Sequence, residues 1–318
     1  MKLALAGDTM LGRGIAARLA EVSPESLFAP EVVAAAREAD LVVLNLECAI
    51  STRGHPWPDL TKPFFFRAPP VAVRALQHLG VDCVTLANNH ALDFSAEALL
   101  DTFEHLRGAG IAWVGAGPNV EQARVPAVLE CGGFRLAVVG VTDHPAAFAA
   151  GPGRPGVAYA PLGRGRLPDW LRESVRGAAA DAVLVTPHWG PNLTQSPLRR
   201  VRKAARALVE AGATLVAGHS AHVFQGVQGR VLYDLGDFLD DYATDAVLRN
   251  DLGLLFLVDL DERGPVRLEA VPLKLDYCHT RLAAGDDAAW IERRFRLACA
   301  ALGTDVELEA GRLAVRWR

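Results

Sequence analysis

Five short polar clusters hold the side chains of this sequence best able to do chemistry. They are Gly7-Asp8, Asn45-Leu46-Glu47, Asn88-Asn89-His90, His188-Trp189-Gly190, and Gly218-His219 with His222 close behind. Carboxylates, an amide oxygen and imidazoles together suit a hard or borderline divalent cation: Mn²⁺, Zn²⁺, Fe²⁺ or Mg²⁺. Asp8 and Glu47 offer anionic oxygens able to bridge two ions, Asn89 a neutral oxygen, and His188, His219 and His222 nitrogen. The expected cofactor is thus a divalent metal ion, one or two per chain. Such a centre lowers the pKa of bound water and makes a nucleophile at neutral pH. His90, beside Asn89, is expected to stay off the metal and protonate a leaving oxygen, with Asp93 orienting its ring. The concentration of these residues is notable: four of the nine histidines and three of the six asparagines fall in the clusters.

Residues so far apart in the chain meet only if neighbouring strands bring their ends together. Lys2–Ala6, Asp40–Asn45, Cys83–Leu86 and Ile111–Val114 read as buried strands. Helical patterns over Gly14–Glu21, Glu31–Glu38 and from Ser95, a candidate N-cap, to about Arg107 separate them. A hairpin is expected over Val128–Cys131 and Phe134–Val141 across Gly132-Gly133, and a crossover loop over Gly151–Gly165. Helices over Leu167–Val175 and Leu198–Ala211 then alternate with strands over Ala182–Thr186 and Thr214–Ala217. Val231–Leu235, Leu252–Leu260 and Val266–Leu275 read as consecutive strands, followed by a helix over Asp287–Leu302 and a hairpin over Val306–Arg316. The alternation is that of a layered α/β fold, which places ligand sites at strand ends.

Composition narrows the function classes. The chain has 318 residues, 51% of them hydrophobic, which supplies a sizeable core and excludes global disorder. A formal charge of −4 gives no broad footprint for nucleic acid. Apolar runs are strand-sized, so no membrane span is expected, and the short run Leu3–Ala6 does not make a signal-peptide core. Five scattered cysteines without a CxxC pair suggest free thiols. A cytoplasmic location is the resulting expectation.

The motifs GDTMLGR (7–13), NLE (45–47), ANNHALD (87–93), HWG (188–190), GHSAHVFQ (218–225) and YDLGDF (233–238) come in the order seen in the CapA/PgsA family. The stretch KPFFFRAPP (62–70) is also similar to one of that family. The family is named for poly-γ-glutamate capsule synthesis and resembles the calcineurin-like metallophosphoesterases. The resemblance implies a four-layer α/β/β/α metallophosphoesterase-like sandwich, here with a C-terminal helix and hairpin extension. The expected division is residues 1–275 as the main domain and 276–318 as the extension packed on it. It also implies metal roles for Asp8, Glu47, Asn89, His188, His219 and His222, and a catalytic role for His90. Departures accompany it. Met10 stands where metallophosphoesterases carry a ligating histidine, His219 and His222 are spaced one residue wider than usual, and Asp237 replaces an asparagine.

Two functions follow as expectations. One is a metal-dependent hydrolase, of phosphoesterase type, acting on a small or polymeric anionic substrate. The other is a non-hydrolytic accessory that binds poly-γ-glutamate or the capsule-synthesis machinery. Substrate contacts are expected from Asn45, from Arg13 and Arg67 as two-pronged grips on an anion, and from Trp189 as a wall beside His188. Other readings stay open for several residues. Asp8 could cap the next helix, and His144 could touch substrate or only shape its loop. The basic run Arg199–Arg206 reads as a solvated helix face.

Overall fold

The computed structural model describes residues 1–164 and 166–317. Two sheets dominate. The larger has ten strands, with a main path of Glu307–Glu309, Arg312–Arg316, Gly264–Asp276, Leu252–Asp261, Lys2–Thr9, Leu41–Leu46, Cys83–Thr85 and Ala112–Val114. The last four of these run parallel. Asp237–Leu239 joins the sheet as a parallel partner at the end of Lys2–Thr9, with Asp237 in register with Asp8. The smaller sheet has six strands in the order Val227–Gln228, Val231–Leu232, Leu215–Ala217, Ala182–His188, Phe134–Thr142 and Ala127–Cys131.

Period-two alternation explains the packing, because successive strand residues face opposite sides of a sheet. On the first strand, Ala4 and Ala6 face a core shared with helical residues Val32, Leu76, Leu99 and Phe103. Leu3 and Leu5 face a second core, between the sheets, with Leu136, Val138, Leu184 and Leu215. The opposite side of the smaller sheet, with Val139, Val183 and Val185, packs on Leu171, Val175, Ala204 and Leu208 of the helices Asp169–Arg176 and Arg199–Ala211. The helix Gly285–Ala300 sends Ile291, Phe295 and Cys299 into the inter-sheet core, and Arg312–Arg316 pairs with Gly264–Asp276. Among the described residues, no helix is long and apolar enough to cross a membrane.

Most elements lie near their expected places, and the differences have local causes. The hairpin turns on Gly132 and Gly133, both at positive φ (59° and 81°), where a side chain would be strained. The crossover region holds a short strand, Gly156–Val157, and a 3-10 turn, Leu162–Arg164; Gly165 and Arg318 lie outside the described residues. Ser95 begins its helix but does not cap it. Its φ is +69°, and its hydroxyl donates to the His55 carbonyl, 2.7 Å away, so a tertiary contact replaces the cap. Asp8 is not a cap either, since the helix Arg13–Arg18 starts from Gly12 without side-chain capping.

Candidate metal centre

The first strand delivers Asp8 through a local irregularity. Its register with Leu41–Leu46 shifts between Ala6 and Asp8, which re-aims the side chain. Gly7 makes the shift possible. A Cβ there would lie 1.9 Å from the Gly236 carbonyl, the group that accepts the Asp8 amide at 2.8 Å. The second strand brings Asn45 level with Asp8, and Glu47 follows just past its end. His188 closes its strand in the smaller sheet and bridges to His219. His222 follows at positive φ (57°).

Donor atoms of Asp8, Glu47 and His222 all lie within 4.8 Å of one another, and all three residues are buried. Asn45 ties the carboxylates together: its amide nitrogen donates to Asp8 Oδ1 at 2.8 Å and Glu47 Oε1 at 3.3 Å. Asn88 in turn donates to Asn45 Oδ1 at 2.9 Å and to the Leu46 carbonyl at 2.8 Å. His219 Nδ1 lies 3.0 Å from Asp8 Oδ1, and His188 Nδ1 lies 3.3 Å from Glu47 Oε1. His222 Nδ1 lies 2.8 Å from Asp237 Oδ1 and 3.5 Å from Asp8 Oδ2.

This is a set of residues that a divalent cation would fit. Glu47 Oε2 and Asn89 Oδ1 are buried without a hydrogen-bond partner, and unsatisfied buried oxygens are costly unless something completes them. The protonation pattern agrees. Burial raises the Asp8 carboxyl, but its bond to His219 and the charges of His219, His222 and His188 outweigh this and hold it below the usual range. Glu47 behaves oppositely, with burial and the Asp8 charge holding it well above. Burial and the His144 charge hold His188 well below the usual imidazole range, so it is neutral and able to ligate. Burial lowers His222, yet Glu47 and Asp8 leave it raised.

Beside this cluster stands an imidazole–carboxylate pair. His90 Nδ1 lies 2.6 Å from Asp93 Oδ2, and the His90 ring stacks on Phe66 with centroids 4.0 Å apart. Asp93 also accepts the Phe66 amide at 2.7 Å, and Lys62 Nζ lies 3.0 Å from its other oxygen. Lys62 donates to the Asn89 carbonyl as well, at 2.8 Å. Burial, offset in part by Asp93, leaves the His90 pKa lowered.

The expected substrate residues divide. Asn45 sits at the heart of the cluster, holding carboxylates. Arg13 stands at its edge, with the guanidinium 5.1 Å from the Phe64 ring centroid and Nε 3.3 Å from Asp241 Oδ2. Arg67 is engaged elsewhere: it donates to the Arg53 and Gly54 carbonyls and stacks on Phe94 at 4.2 Å. Trp189 does not wall the site. It is buried in the core between the smaller sheet and its helices, its indole N–H donating to the Tyr233 carbonyl at 3.0 Å. Met10 is also buried, its sulfur accepting the Gly12 amide at 2.9 Å.

Sequence reasoning gives no site role to a group of four aspartates, of which only Asp237 stands out in its motif, or to Lys62. Asp234, Asp237, Asp240 and Asp241 are all buried near the centre. Their signal was four aspartates within the eight positions 234–241, separated only by Leu, Gly and Phe. Burial, Asp240 and Asp8 hold Asp237 well above the usual range, and burial brings Asp240 to about 6. Lys62 is one of only four lysines in the chain.

Comparison with known proteins adds a family. Residues 2–242 match the family described as "Bacterial capsule synthesis protein PGA_cap". The chain is similar to a "Probable polyglutamine synthesis accessory protein" of Mycobacterium tuberculosis, 32% identical over 271 residues that cover 79% of this chain and 70% of that one. It is also similar to the "Capsule biosynthesis protein CapA" of Bacillus anthracis, 28% identical over 286 residues, 86% of this chain and 67% of that one. Among solved structures, a hypothetical protein from Thermus thermophilus shares the fold, with a TM-score of 0.51 at 17% identity over 87% of this chain and all of that one.

Proposed function

Given that the chain belongs to the bacterial capsule synthesis protein family, we propose that it is a metal-dependent hydrolase, of phosphoesterase type, acting on an anionic substrate. The observation that carries this reading is the convergence of Asp8, Glu47 and His222 donors within 4.8 Å, beside an oriented His90–Asp93 pair. We read the fold accordingly as a four-layer α/β/β/α sandwich of the metallophosphoesterase kind. Three successive cores support it. Residues 1–275 form its main domain and 276–318 a helix–hairpin extension.

In this reading Asp8, Glu47 and His222 hold the ion, and His188, His219 and Asn89 complete its surroundings. A bound divalent ion supplies Lewis-acid polarisation and a lowered pKa for water. The remaining work falls to the chain. Asn45 keeps the two carboxylates together against their mutual repulsion. Asp93 holds His90 by Nδ1, which leaves Nε2 to carry a proton to the leaving oxygen. Phe66 covers one face of that ring and keeps water from it. Arg13, partly exposed at the rim, meets the substrate's negative charge.

A second reading, a non-hydrolytic accessory that binds poly-γ-glutamate, draws on the names of the relatives and on Met10. A thioether tied to its own turn gives a hard cation no ligand at that position. One experiment separates the two. Metal content is measured by elemental analysis, with turnover of bis-p-nitrophenyl phosphate across Mn²⁺, Zn²⁺, Fe²⁺ and Mg²⁺. Bound metal with turnover that disappears in Asp8→Ala supports the hydrolase. Folded protein with neither, yet able to bind poly-γ-glutamate in EDTA, establishes the accessory.

A further inference from the structure

A second imidazole–carboxylate pair flanks the carboxylate cluster, on the side opposite in sequence to His90. His144 Nδ1 lies 2.5 Å from Asp143 Oδ1. The pair is fixed from four directions. The Asp143 amide donates to the His188 carbonyl at 3.1 Å, and Asp143 Oδ2 accepts the Gly190 amide at 3.4 Å. Thr142 clasps the next residue: its hydroxyl donates to the His144 carbonyl at 2.6 Å and accepts the His144 amide at 3.2 Å. Thr142 is the register partner of His188, so the turn leaves the sheet beside the cluster. The His144 ring comes within 5.1 Å of the His188 ring, centroid to centroid.

Exposure sets His144 apart. The side chains of His90, His188, His219 and His222 are at most 11% exposed, whereas that of His144 is 34% exposed. Nδ1 is spent on Asp143, so Nε2 is the atom left for an outside partner. Lys62 lies over Phe148, four residues along the same turn, at 5.6 Å, and Phe148 meets Trp57 edge-on at 4.8 Å.

We propose that His144 is a substrate-binding residue whose Nε2 hydrogen-bonds an oxygen of the anionic substrate, with Asp143 as its positioning residue. The inference rests on the reading of the centre as a metal site for an anionic substrate. It adds a contact on the His188 side to those of Arg13 and His90.

The test uses the full chain loaded with Mn²⁺, and inorganic phosphate as the probe, with affinity measured by calorimetry and metal content by elemental analysis. His144→Ala is expected to weaken phosphate at least tenfold with Mn²⁺ content unchanged. His144→Gln, which keeps a donor, should recover part of the loss, and Asp143→Asn should weaken binding by a smaller factor. Phosphate affinity of His144→Ala within twofold of wild type overturns the proposal. So does a fall in its Mn²⁺ content, which would make His144 a support for His188 instead. If the wild-type protein takes up Mn²⁺ but no phosphate, both this inference and the phosphoester reading fall. If wild type binds phosphate and His144→Ala binds it equally well, only the inference falls.

Discussion

Asn45→Asp replaces one atom of the group that holds Asp8 and Glu47 together. The introduced side chain keeps the oxygen that accepts from Asn88 and turns the donating nitrogen into a second oxygen. That atom lies 2.8 Å from Asp8 Oδ1 and 3.3 Å from Glu47 Oε1. An ionised carboxyl cannot sit there in the metal-free protein, so the new group takes up a proton. Holding it neutral costs about 1.36 kcal/mol per pH unit above its ordinary pKa of ~3.9, hence roughly 4 kcal/mol at pH 7 and about 1.5 at pH 5. A protonated carboxyl also donates one hydrogen bond where the amide donates two, a further loss of about 1.5–3 kcal/mol at either pH. The raised pKa fixes the sign, because the penalty is absent below about 4 and grows as pH rises. Urea denaturation in EDTA should therefore find the variant destabilised at both pH values, and by about 2.7 kcal/mol more at pH 7 than at pH 5. Asn45→Ala, which introduces no titrating group, serves as control and should show no such widening. An equal loss for Asn45→Asp at the two pH values would refute the picture of Asn45 as the tie between two carboxylates.

Further outcomes follow from the same geometry. Glu47, Asp234 and Asp237 titrate well above the usual carboxylate range and Asp240 at about 6, chiefly through burial, so metal-free protein should lose stability as pH rises from 4 to 7. Asp237→Asn should flatten that slope in denaturation curves, and an unchanged slope would show that Asp237 does not bear the strain of burial. His90→Ala should keep its metal by elemental analysis yet lose about 10²–10⁴ in turnover of bis-p-nitrophenyl phosphate; full activity would remove His90 from the mechanism. Trp189→Phe strands the buried Tyr233 carbonyl and should lower stability by about 1–3 kcal/mol while metal content and turnover per folded molecule hold. A selective loss of metal in that variant would return Trp189 to the site.

Strand ends were legible because the signal is local: a short apolar run, then a polar residue rare in this composition. Asp8, Asn45, Glu47 and His188 were found that way. Partners set by long-range pairing were not. Asp237 meets His222 because its strand lies parallel to Lys2–Thr9 at the level of Asp8, and nothing within the YDLGDF motif encodes that neighbour. Trp189 was misplaced for a reason the sequence does contain. Adjacent residues of an extended chain point to opposite faces, so the residue after His188 turns toward the helices. Arg67 lies in the expected stretch, but its guanidinium found carbonyls and an aromatic face in the loop it anchors. Lys62 comes from an irregular segment with no periodicity to read, and its partners Asn89 and Asp93 follow about 30 residues later.

The first strand is flanked by Leu41–Leu46 on one side, and on the other by Leu252–Asp261 along Lys2–Leu5 and by Asp237–Leu239 at Asp8 and Thr9. For a chain emerging from the ribosome, this sets an order of events. Asp8 is made long before its second neighbour and stays on an unfinished edge until Asp237–Leu239 has been synthesised, with His222 arriving only shortly before. A partly made chain can offer only an incomplete set of donors, open to whichever cation is at hand. The complete set forms only after closure of contacts more than 200 residues apart in sequence, a slow kind to form. On the proposed metal-site reading, selectivity for the ion is decided at the last stage of folding, and a released, truncated chain ending before residue 222 would lack the means to choose.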